Sequence, residues 1–302
     1  MAVNSYLIQK WYKMIIGRSG LHVNQGIGKI YSKDKIKGYY NDLTEKVSKF
    51  GLPEATVPKS KVGRGEEIYF SIAIFQYGLA AYDLFLMSEK QDKSMLAKVL
   101  ACADWAIENQ QEDGAWVTFE FENAEYPYSA MAQGEAISLL LRAYIETEND
   151  VYVSAVKKAR DFLVLPFEKG GPAEYVGSNL YLYECPKDPL ILNGWIFSIW
   201  GLMDYCKFFE DEKSQELLNR TLLTLEKSLP LFDLPYWSMY EDGKRICSPF
   251  YHKLHVAQLK VMYDLTGKEI YKYYAERWAS FENKFFFRIY AFVKKALQKI
   301  LE

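Results

Sequence analysis

The stretch FSIWGLMDYCKFFED, Phe197–Asp211, decides the fold because three other segments of the chain repeat its pattern. They are IFQYGLAAYDL (74–84), AISLLLRAYIETEND (136–150) and HVAQLKVMYDLTGKE (255–269). Their tyrosines, at positions 82, 144, 205 and 263, are 62, 61 and 58 residues apart. Apolar residues recur in each segment at the three- and four-residue spacing that is typical of a helix. A repeat of this kind indicates an architecture built from similar units.

Each of the four segments is followed by a polar turn and a second amphipathic segment. These second segments are 93–110, 151–165, 214–229 and 269–281. The repeated unit is therefore a helix hairpin, and four hairpins predict an all-α ring. Longer loops follow the second helices, at 111–127, 166–189 and 232–250. In a ring these loops fall at one end, where loops on a rigid scaffold usually carry the binding groups.

The pattern divides the chain into three parts. We expect the ring of hairpins to cover residues 67–281. Residues 1–66 mix irregular and short helical character, and we expect them to wrap the ring. Within the second loop, AEYVGSNLYLYE (173–184) predicts a small β-hairpin over the cleft. Residues 282–302 form a separate C-terminal helix.

The C-terminal helix is basic and amphipathic. Its apolar positions recur at helical spacing and are Phe285, Phe286, Ile289, Phe292, Val293, Ala296, Leu297 and Ile300. Its basic residues lie mostly elsewhere on the helix and are Lys284, Arg288, Lys294, Lys295 and Lys299. Such a helix, 284–301, can lie on an anionic membrane surface as a peripheral contact. The alternative is packing on the ring or on another subunit, as in a homodimer.

Composition narrows the classes of function. A net charge of −2 over 302 residues gives no reason to expect nucleic-acid binding. The 16% of aromatic residues, including 24 tyrosines, suits stacking on sugars, although a tyrosine-rich core explains it equally well. The four cysteines have no metal-site spacing. We find no signal peptide and no run long enough to cross a membrane, so we expect a cytoplasmic protein, peripheral to the inner face of the membrane if the C-terminal helix binds there.

The segment SPFYHKLHVAQL, 248–259, holds two of the three histidines. His252 and His255 are three residues apart, which places both imidazoles on one helix face. A zinc site needs three or four ligands, and the third histidine, His22, is far away in sequence. We therefore expect no metal and no cofactor. We expect the segment to be a catalytic loop that enters a helix, with the two histidines in support as substrate-binding residues.

Acid and base candidates occur in the loops at the same end of the ring. Tyr240 and Tyr251 supply phenols and Glu184 supplies a carboxylate. Such groups act as general acids and bases when their pKa moves toward the working pH. Three cations lie nearby in sequence: Lys244, Arg245 and Lys253.

For some other residues the sequence allows either a role in the cleft or a structural role. Trp116 and Trp237 could stack on sugar rings or anchor the core. Asn193, in LNGW, lies at the start of a helix near the candidate loops, and we expect it and Cys185 to bind substrate. Arg142 pairs with an acid in the ring or points into the cleft.

Several fragments together resemble the C-terminal domain of D-glucuronyl C5-epimerases. They are YPYSAMAQGEAISLLLRAY, YECPKDPLILNGWIFSIWGLMDY, YWSMYEDG and FYHKLHVAQLKVMYDLTG, in chain order, and EIYFSIAIFQYGLAAYD precedes them. The resemblance covers about residues 67–278. It implies an (α/α) toroid that acts on uronic acid residues of a polysaccharide such as heparosan, converting D-glucuronate to L-iduronate.

The resemblance also implies roles for individual residues. Glu184, Tyr240 and Tyr251 match positions implicated in proton transfer in that family. The chain departs from the family at Cys185, where animal enzymes have tyrosine. It departs again after Tyr240, where the motif arginine is absent, so that one of the three nearby cations would have to bind the uronate carboxylate.

Three hypotheses about function follow. The first is an epimerase that inverts C5 of a uronic acid residue in a polysaccharide or oligosaccharide by removing and returning a proton. The second is a polysaccharide lyase, which begins with the same proton loss. The third is a non-catalytic carbohydrate-binding or assembly protein.

Overall fold

The structure is a computed structural model that describes residues 23–62, 65–186 and 188–301. In these ranges the chain forms ten α-helices and two two-stranded antiparallel sheets. The helices are α1 (Glu45–Phe50), α2 (Ser71–Met87), α3 (Lys93–Asn109), α4 (Ala130–Thr147), α5 (Asp150–Leu163), α6 (Leu192–Phe209), α7 (Glu212–Ser228), α8 (Pro249–Thr266), α9 (Glu269–Glu282) and α10 (Phe285–Leu301). The strands are β1 (Ser60–Val62), β2 (Glu66–Ile68), β3 (Ala173–Val176) and β4 (Asn179–Leu182). Short 3₁₀ turns occur at Phe167–Lys169 and Leu229–Phe232.

Four helix hairpins make up the body of the protein, in two layers. In each hairpin the two helices pack on one another: α2 on α3, α4 on α5, α6 on α7 and α8 on α9. The first helices also pack side by side, α2 on α4, α4 on α6 and α6 on α8. The inner helices α2, α4 and α6 are buried along most of their length and α8 along about half, whereas the outer helices bury one face. The all-α fold of helix hairpins predicted from the repeat, as in an (α/α) toroid, is confirmed.

The outer helices begin at polar caps that the sequence provides in the tight hairpin turns. The side chains of Asp92, Asn149 and Asp211 accept hydrogen bonds from the first backbone N–H groups of α3, α5 and α7. Such caps satisfy donors that a helix cannot satisfy internally. They fix the reversal of the chain between the inner and the outer layer.

Two glycines allow α4 and α6 to approach closely. A Cβ atom on Gly201 would lie only 2.2 Å from the carbonyl oxygen of Gly134, and one on Gly134 would lie 2.7 Å from the Cα of Ser198. Both obstacles are backbone atoms, which cannot move aside like a flexible side chain. The AQGEA and WGLMD parts of the repeat therefore mark the crossing of the two central helices.

A buried ion pair joins the same helices near their C-terminal ends. Arg142 lies 2.7 Å from Asp204, which also accepts hydrogen bonds from Ser138 and from the phenol of Tyr40. Burial alone favours a neutral guanidine, but the charge of Asp204 raises the pKa of Arg142 above its usual value. Of the two readings of Arg142, the structure shows the pairing with an acid.

The N-terminal segment spans that end of the helix array. The backbone N–H of Tyr39 donates to Asp83 at the end of α2, and the phenol of Tyr31 donates to Asp264 near the end of α8. The carbonyls of Lys37 and Gly38 accept from Arg142 of α4. Residues 31–40 thus contact the first, second and last hairpins, while residues 1–22 of the expected N-terminal wrap lie outside the described part of the chain.

The predicted β-hairpin is formed by β3 and β4, which turn at Gly177. It packs against the outer helix α7, where the N–H of Leu180 donates to Thr224. Arg220 of α7 donates to the carbonyl of Ser178 in the turn. Because the hairpin is held in this way, the chain that leaves β4 turns inward to Glu184.

Membrane-spanning segments were sought among the helices in the described residues. None is both long and apolar enough to cross a bilayer.

Candidate functional site

A cavity of about 320 Å³ opens among the N-terminal ends of the four inner helices. Gln76 of α2, Met131 of α4, Phe197 of α6 and Tyr251 of α8 all line it. The long loops that follow the outer helices complete the wall. The volume falls at the lower end of the range common for small-molecule sites.

The cavity has an aromatic wall and a polar floor. The aromatic side chains are Phe70, Phe119, Phe121 and Phe250, and the first three contact one another edge to face. The polar groups come from the loops and the inner helices, and include Glu184, Tyr240, Tyr251, Arg245 and Asn193. A mainly apolar lining with a few convergent polar groups is the usual composition of a small-molecule pocket.

Glu184 lies against the first turn of α6. Its Oε2 is so close to Gly194 that a Cβ atom there would lie 2.2 Å from it. This oxygen is buried and has no hydrogen-bond partner among the described residues. Burial, and then the charge of Glu122, raise the pKa of Glu184 to about 7, while Arg245 acts in the opposite direction. A carboxyl group with this pKa can both accept and release a proton near neutrality.

Tyr240 and Tyr251 form a phenol pair beside Glu184. Their rings are 4.6 Å apart between centroids and tilted by 58°. Burial raises the pKa of both phenols well above the usual value, and the charge of Glu184 adds to this. Their hydrogen bond raises the pKa of Tyr240 and lowers that of Tyr251, as expected if Tyr240 donates to Tyr251. Both side chains are therefore neutral proton donors at physiological pH.

Backbone pairing sets the position of Tyr240. Its N–H donates to the carbonyl of Arg245 across a tight turn, and its own carbonyl accepts from the N–H of Leu192 at the start of α6. Leu190 and Asp242 extend this pairing. The loop that carries Tyr240 is thereby fixed to the same helix end that Glu184 contacts.

Of the three cations predicted from the sequence, Arg245 is the one that lines the cavity, and Lys61 of β1 also lines it. Its guanidinium lies 5.5 Å from the centroid of the Tyr240 ring, and its Nε donates to Glu241 at 2.8 Å. Lys244 and Lys253 are exposed, and they are not among the described residues that line the cavity. The sequence placed all three cations near the site, whereas the turn geometry directs only Arg245 inward.

Two other predicted residues line the cavity. Asn193, at the start of α6, is buried, and its side-chain oxygen has no hydrogen-bond partner among the described residues. Cys185 also lines the wall. Burial, and then a hydrogen bond with Asp188, raise the pKa of its thiol well above the usual value, so it is a neutral group there.

The two histidines are fully buried beneath the Tyr240 loop. His252 stacks on Trp237 with 3.6 Å between ring centroids, and its Nδ1 accepts from the N–H of Ser238. Because Nδ1 accepts, Nε2 carries the proton and donates to the carbonyl of Trp278. Burial lowers the pKa of His252 and of His255 to about 3. Both are neutral and hold the loop in place.

The two tryptophans lie in the core. Trp237 donates to the carbonyl of Cys247, and Trp116 donates to the carbonyl of Ala106. Neither of them, nor either histidine, is among the described residues that line the cavity. We therefore leave these four residues out of the site proposed below.

Reasoning from the sequence missed several residues of the cavity, among them Gln76, and a buried carboxyl behind it. Gln76 lines the cavity and donates at 2.7 Å to Glu135, a fully buried carboxyl of α4. Burial raises the pKa of Glu135 well above the usual value, and its second oxygen has no hydrogen-bond partner in the described ranges. The charges of Lys46 and Glu184 both act on its pKa, in opposite directions. The signal was present: each of the two is a polar residue at the sixth position of an apolar inner helix.

Metal sites were sought in the same part of the chain. Among the described residues, no three His, Cys, Asp or Glu side chains lie together in a way that could hold a metal ion.

The sequence of the chain is similar to one known family and to individual known proteins. The family described as D-glucuronyl C5-epimerase C-terminus matches residues 111–280. A D-glucuronyl C5-epimerase of Caenorhabditis elegans is 28% identical over 210 residues, which cover 60% of this chain and 34% of that protein. An uncharacterized protein of Methanocaldococcus jannaschii is 28% identical over 155 residues, or 49% of this chain and 50% of that protein. The chain thus spans about a third of the length of the first relative and about half of the length of the second. The match over more than half of its residues shows that the chain belongs to the D-glucuronyl C5-epimerase C-terminal domain family.

Proposed function

We propose that the protein inverts C5 of a uronic acid residue within a polysaccharide, of the D-glucuronate to L-iduronate type. The observation that carries the proposal is the convergence of Glu184 with the Tyr240–Tyr251 phenol pair around one cavity. Epimerisation at this carbon needs a base on one face of the sugar and an acid on the other. The family match supports the same reaction class.

In the proposed mechanism Glu184 starts as an ionised carboxylate and Tyr251 as a protonated phenol. Glu184, as a carboxylate, removes the C5 proton of glucuronate, and the electron pair of the C–H bond moves into the uronate carboxylate. Tyr251, as a neutral phenol, then delivers a proton to the opposite face of C5. The hydrogen bond from Tyr240 stabilises the phenolate that forms on Tyr251. Proton exchange with solvent, or the reverse reaction, restores both groups.

The negative charge that develops on the substrate needs a counter-charge. Arg245 lines the cavity beside Tyr240, and we propose that it binds the uronate carboxylate in place of the missing motif arginine. Its bond to Glu241 orients the guanidinium. Asn193 and Gln76 supply further hydrogen-bonding groups for sugar hydroxyls, and the aromatic wall supplies the apolar face.

The test is hydrogen exchange at C5. The protein is incubated with heparosan and other uronate polymers in deuterated water, and C5 is observed by NMR. We expect deuterium at C5 together with iduronate signals. Ultraviolet absorbance of an unsaturated uronate would instead identify a lyase. Polymer binding without exchange across the panel would identify a non-catalytic binding protein and contradict the proposal.

The contact between Gly194 and Glu184 allows the Glu184 carboxyl to be displaced without a change in its chemical nature. Gly194→Ala adds a Cβ atom 2.2 Å from Oε2 of Glu184 and 2.7 Å from its Cβ, so the carboxyl must move by about 1 Å. We expect kcat for epimerisation to fall about a hundredfold, since misplacement of this size costs that much in general. Overpacking of a buried site costs about 1–3 kcal/mol, so the variant should also unfold at a somewhat lower temperature, and kcat is compared where both proteins are folded.

Gly26→Ala is the matched control for this substitution, since a Cβ atom at Gly26 meets nothing within 4 Å. It should leave kcat unchanged. Equal kcat values for Gly194→Ala and the wild type would show that the position of Glu184 is irrelevant to the rate.

A further inference from the structure

The C-terminal helix α10 turns a broad apolar face to solvent. Phe286 is 83% exposed, Phe285 66% and Leu297 54%. The other large apolar residues on this face are also exposed: Ile289, Tyr290, Phe292 and Val293. A contiguous patch of this size on a protein surface usually marks an interaction site.

The opposite face of α10 is docked on the body of the protein. Ala291 is buried, and Phe287 packs on Phe281 of α9. Lys294 donates to the phenol of Tyr236, and Gln298 accepts from the N–H of Ile246. The helix is therefore held in a defined orientation, with its apolar face directed outward.

The charges of this helix have one sign. Residues 284–301 contain five lysines and arginines and no aspartate or glutamate. The outer helix α7, by contrast, mixes glutamates with lysines and an arginine. At 3.6 residues per turn, Lys284, Arg288 and Lys295 fall within about 40° of one another on the flank of the apolar face. An apolar face bordered by basic residues complements a surface with an acyl interior and anionic headgroups.

We propose that α10 binds an anionic lipid surface, lying in the plane of the interface with its apolar face in the acyl boundary and its basic flank among the headgroups. Pairing with a second copy is less well matched. In an antiparallel two-fold pair of α10 helices the same flank meets itself, which would bring the basic residues of both copies together. The proposal is independent of the epimerase activity, since α10 binds lipid by surface chemistry alone.

The test is co-sedimentation of the whole protein with vesicles. We expect binding to vesicles of equal parts phosphatidylcholine and phosphatidylglycerol, weaker binding to phosphatidylcholine alone, and release as salt is raised. The double variant Phe286→Glu, Val293→Glu should bind at least about tenfold more weakly, because two apolar side chains no longer enter the acyl region. The variant Lys284→Gln, Arg288→Gln should lose mainly the preference for the anionic vesicles.

Matched controls separate lipid binding from general surface effects. Leu223→Glu combined with Val151→Glu replaces two other exposed apolar residues, on the outer helices α7 and α5, and should bind vesicles like the wild type. Thermal unfolding of every variant establishes that it is folded. Equal vesicle binding by the Phe286→Glu, Val293→Glu variant and the wild type would overturn the proposal. So would absence of vesicle binding, or a dimer in light scattering that this variant abolishes while no vesicles bind.

Discussion

Glu184→Gln is expected to lower the rate of C5 hydrogen exchange into glucuronate polymers by about 10²–10⁴-fold, the usual contribution of a positioned base. The amide has nearly the shape of the carboxyl and keeps the packing against Gly194, but it cannot accept the C5 proton. Both deuterium incorporation and iduronate formation should be lost together. The measurement is NMR of heparosan incubated with the variant in deuterated water.

Tyr251→Phe is the informative comparison, because it removes the acid and leaves the base. Glu184 can still take the C5 proton, exchange it with solvent and return deuterium to the same face. We therefore expect this variant to incorporate deuterium into glucuronate while forming little iduronate. If instead Glu184→Gln retained exchange and Tyr251→Phe lost it, the two groups would have the opposite assignment with respect to glucuronate.

The pH dependence follows from the raised pKa of Glu184. A base must be ionised to act, so the exchange rate should rise as pH increases through about 7 and then level off. Since the charge of Glu122 contributes to that pKa, Glu122→Gln should move the midpoint to lower pH and keep the plateau. A profile already flat from pH 5 would show that another group is the base.

The raised pKa of Glu184 also predicts how the stability of the fold depends on pH. This dependence distinguishes a variant that has lost its catalytic group from one that is less well folded. A carboxyl that ionises at about 4.5 in the unfolded chain and at about 7 in the folded protein destabilises the fold progressively between these values, with the full cost above pH 7. At pH 8, Glu184→Gln should therefore unfold at the same or a higher temperature than the wild type. An inactive variant that is also less stable at pH 8 would point to a structural role.

Much of the architecture was accessible from the sequence because it depends on local periodicity. The four tyrosine-bearing segments became the inner helices α2, α4, α6 and α8, and Asp92 and Asn149 capped the outer helices that follow. Periodicity predicts which face of a helix is buried, but α2, α4 and α6 are buried on nearly all sides. Their polar residues, such as Glu135, therefore lie inside the protein, where a wheel drawn from the sequence would have placed them outside.

The details of the site depended on turn geometry, which periodicity does not contain. Arg245 and Lys244 are adjacent in sequence, yet pairing of Arg245 with Tyr240 across the turn directs one toward the cavity and the other to solvent. The position of His252 and His255 at a helix start beside the candidate loops favours substrate binding. Their contacts with Trp237 of the third long loop and Trp278 of α9 became visible only in three dimensions.

The buried pair of Arg142 and Asp204 should have the largest effect on stability. Asp204→Leu leaves the guanidinium of Arg142 buried without its counter-charge and removes the acceptor of Tyr40 and Ser138. Loss of one partner of a buried ion pair costs about 3–5 kcal/mol in general. We expect a decrease of that size in the free energy of unfolding, measured by urea denaturation. An exposed pair gives the control: Lys33→Ala breaks the contact with Asp264 and should cost less than about 1 kcal/mol.

The double variant Arg142→Met, Asp204→Leu distinguishes the two contributions of this pair. If the loss comes from a stranded charge, replacing both partners by apolar side chains should recover most of the stability, because ion-pair attraction in the interior is largely offset by desolvation. Arg142 also donates to the carbonyls of Lys37 and Gly38, which would then lack those donors. Recovery should therefore be incomplete by about 1–3 kcal/mol, the cost of unsatisfied buried acceptors. A double variant as unstable as Asp204→Leu would show that Arg142 matters chiefly as the clamp that holds the N-terminal segment across the ends of the inner helices.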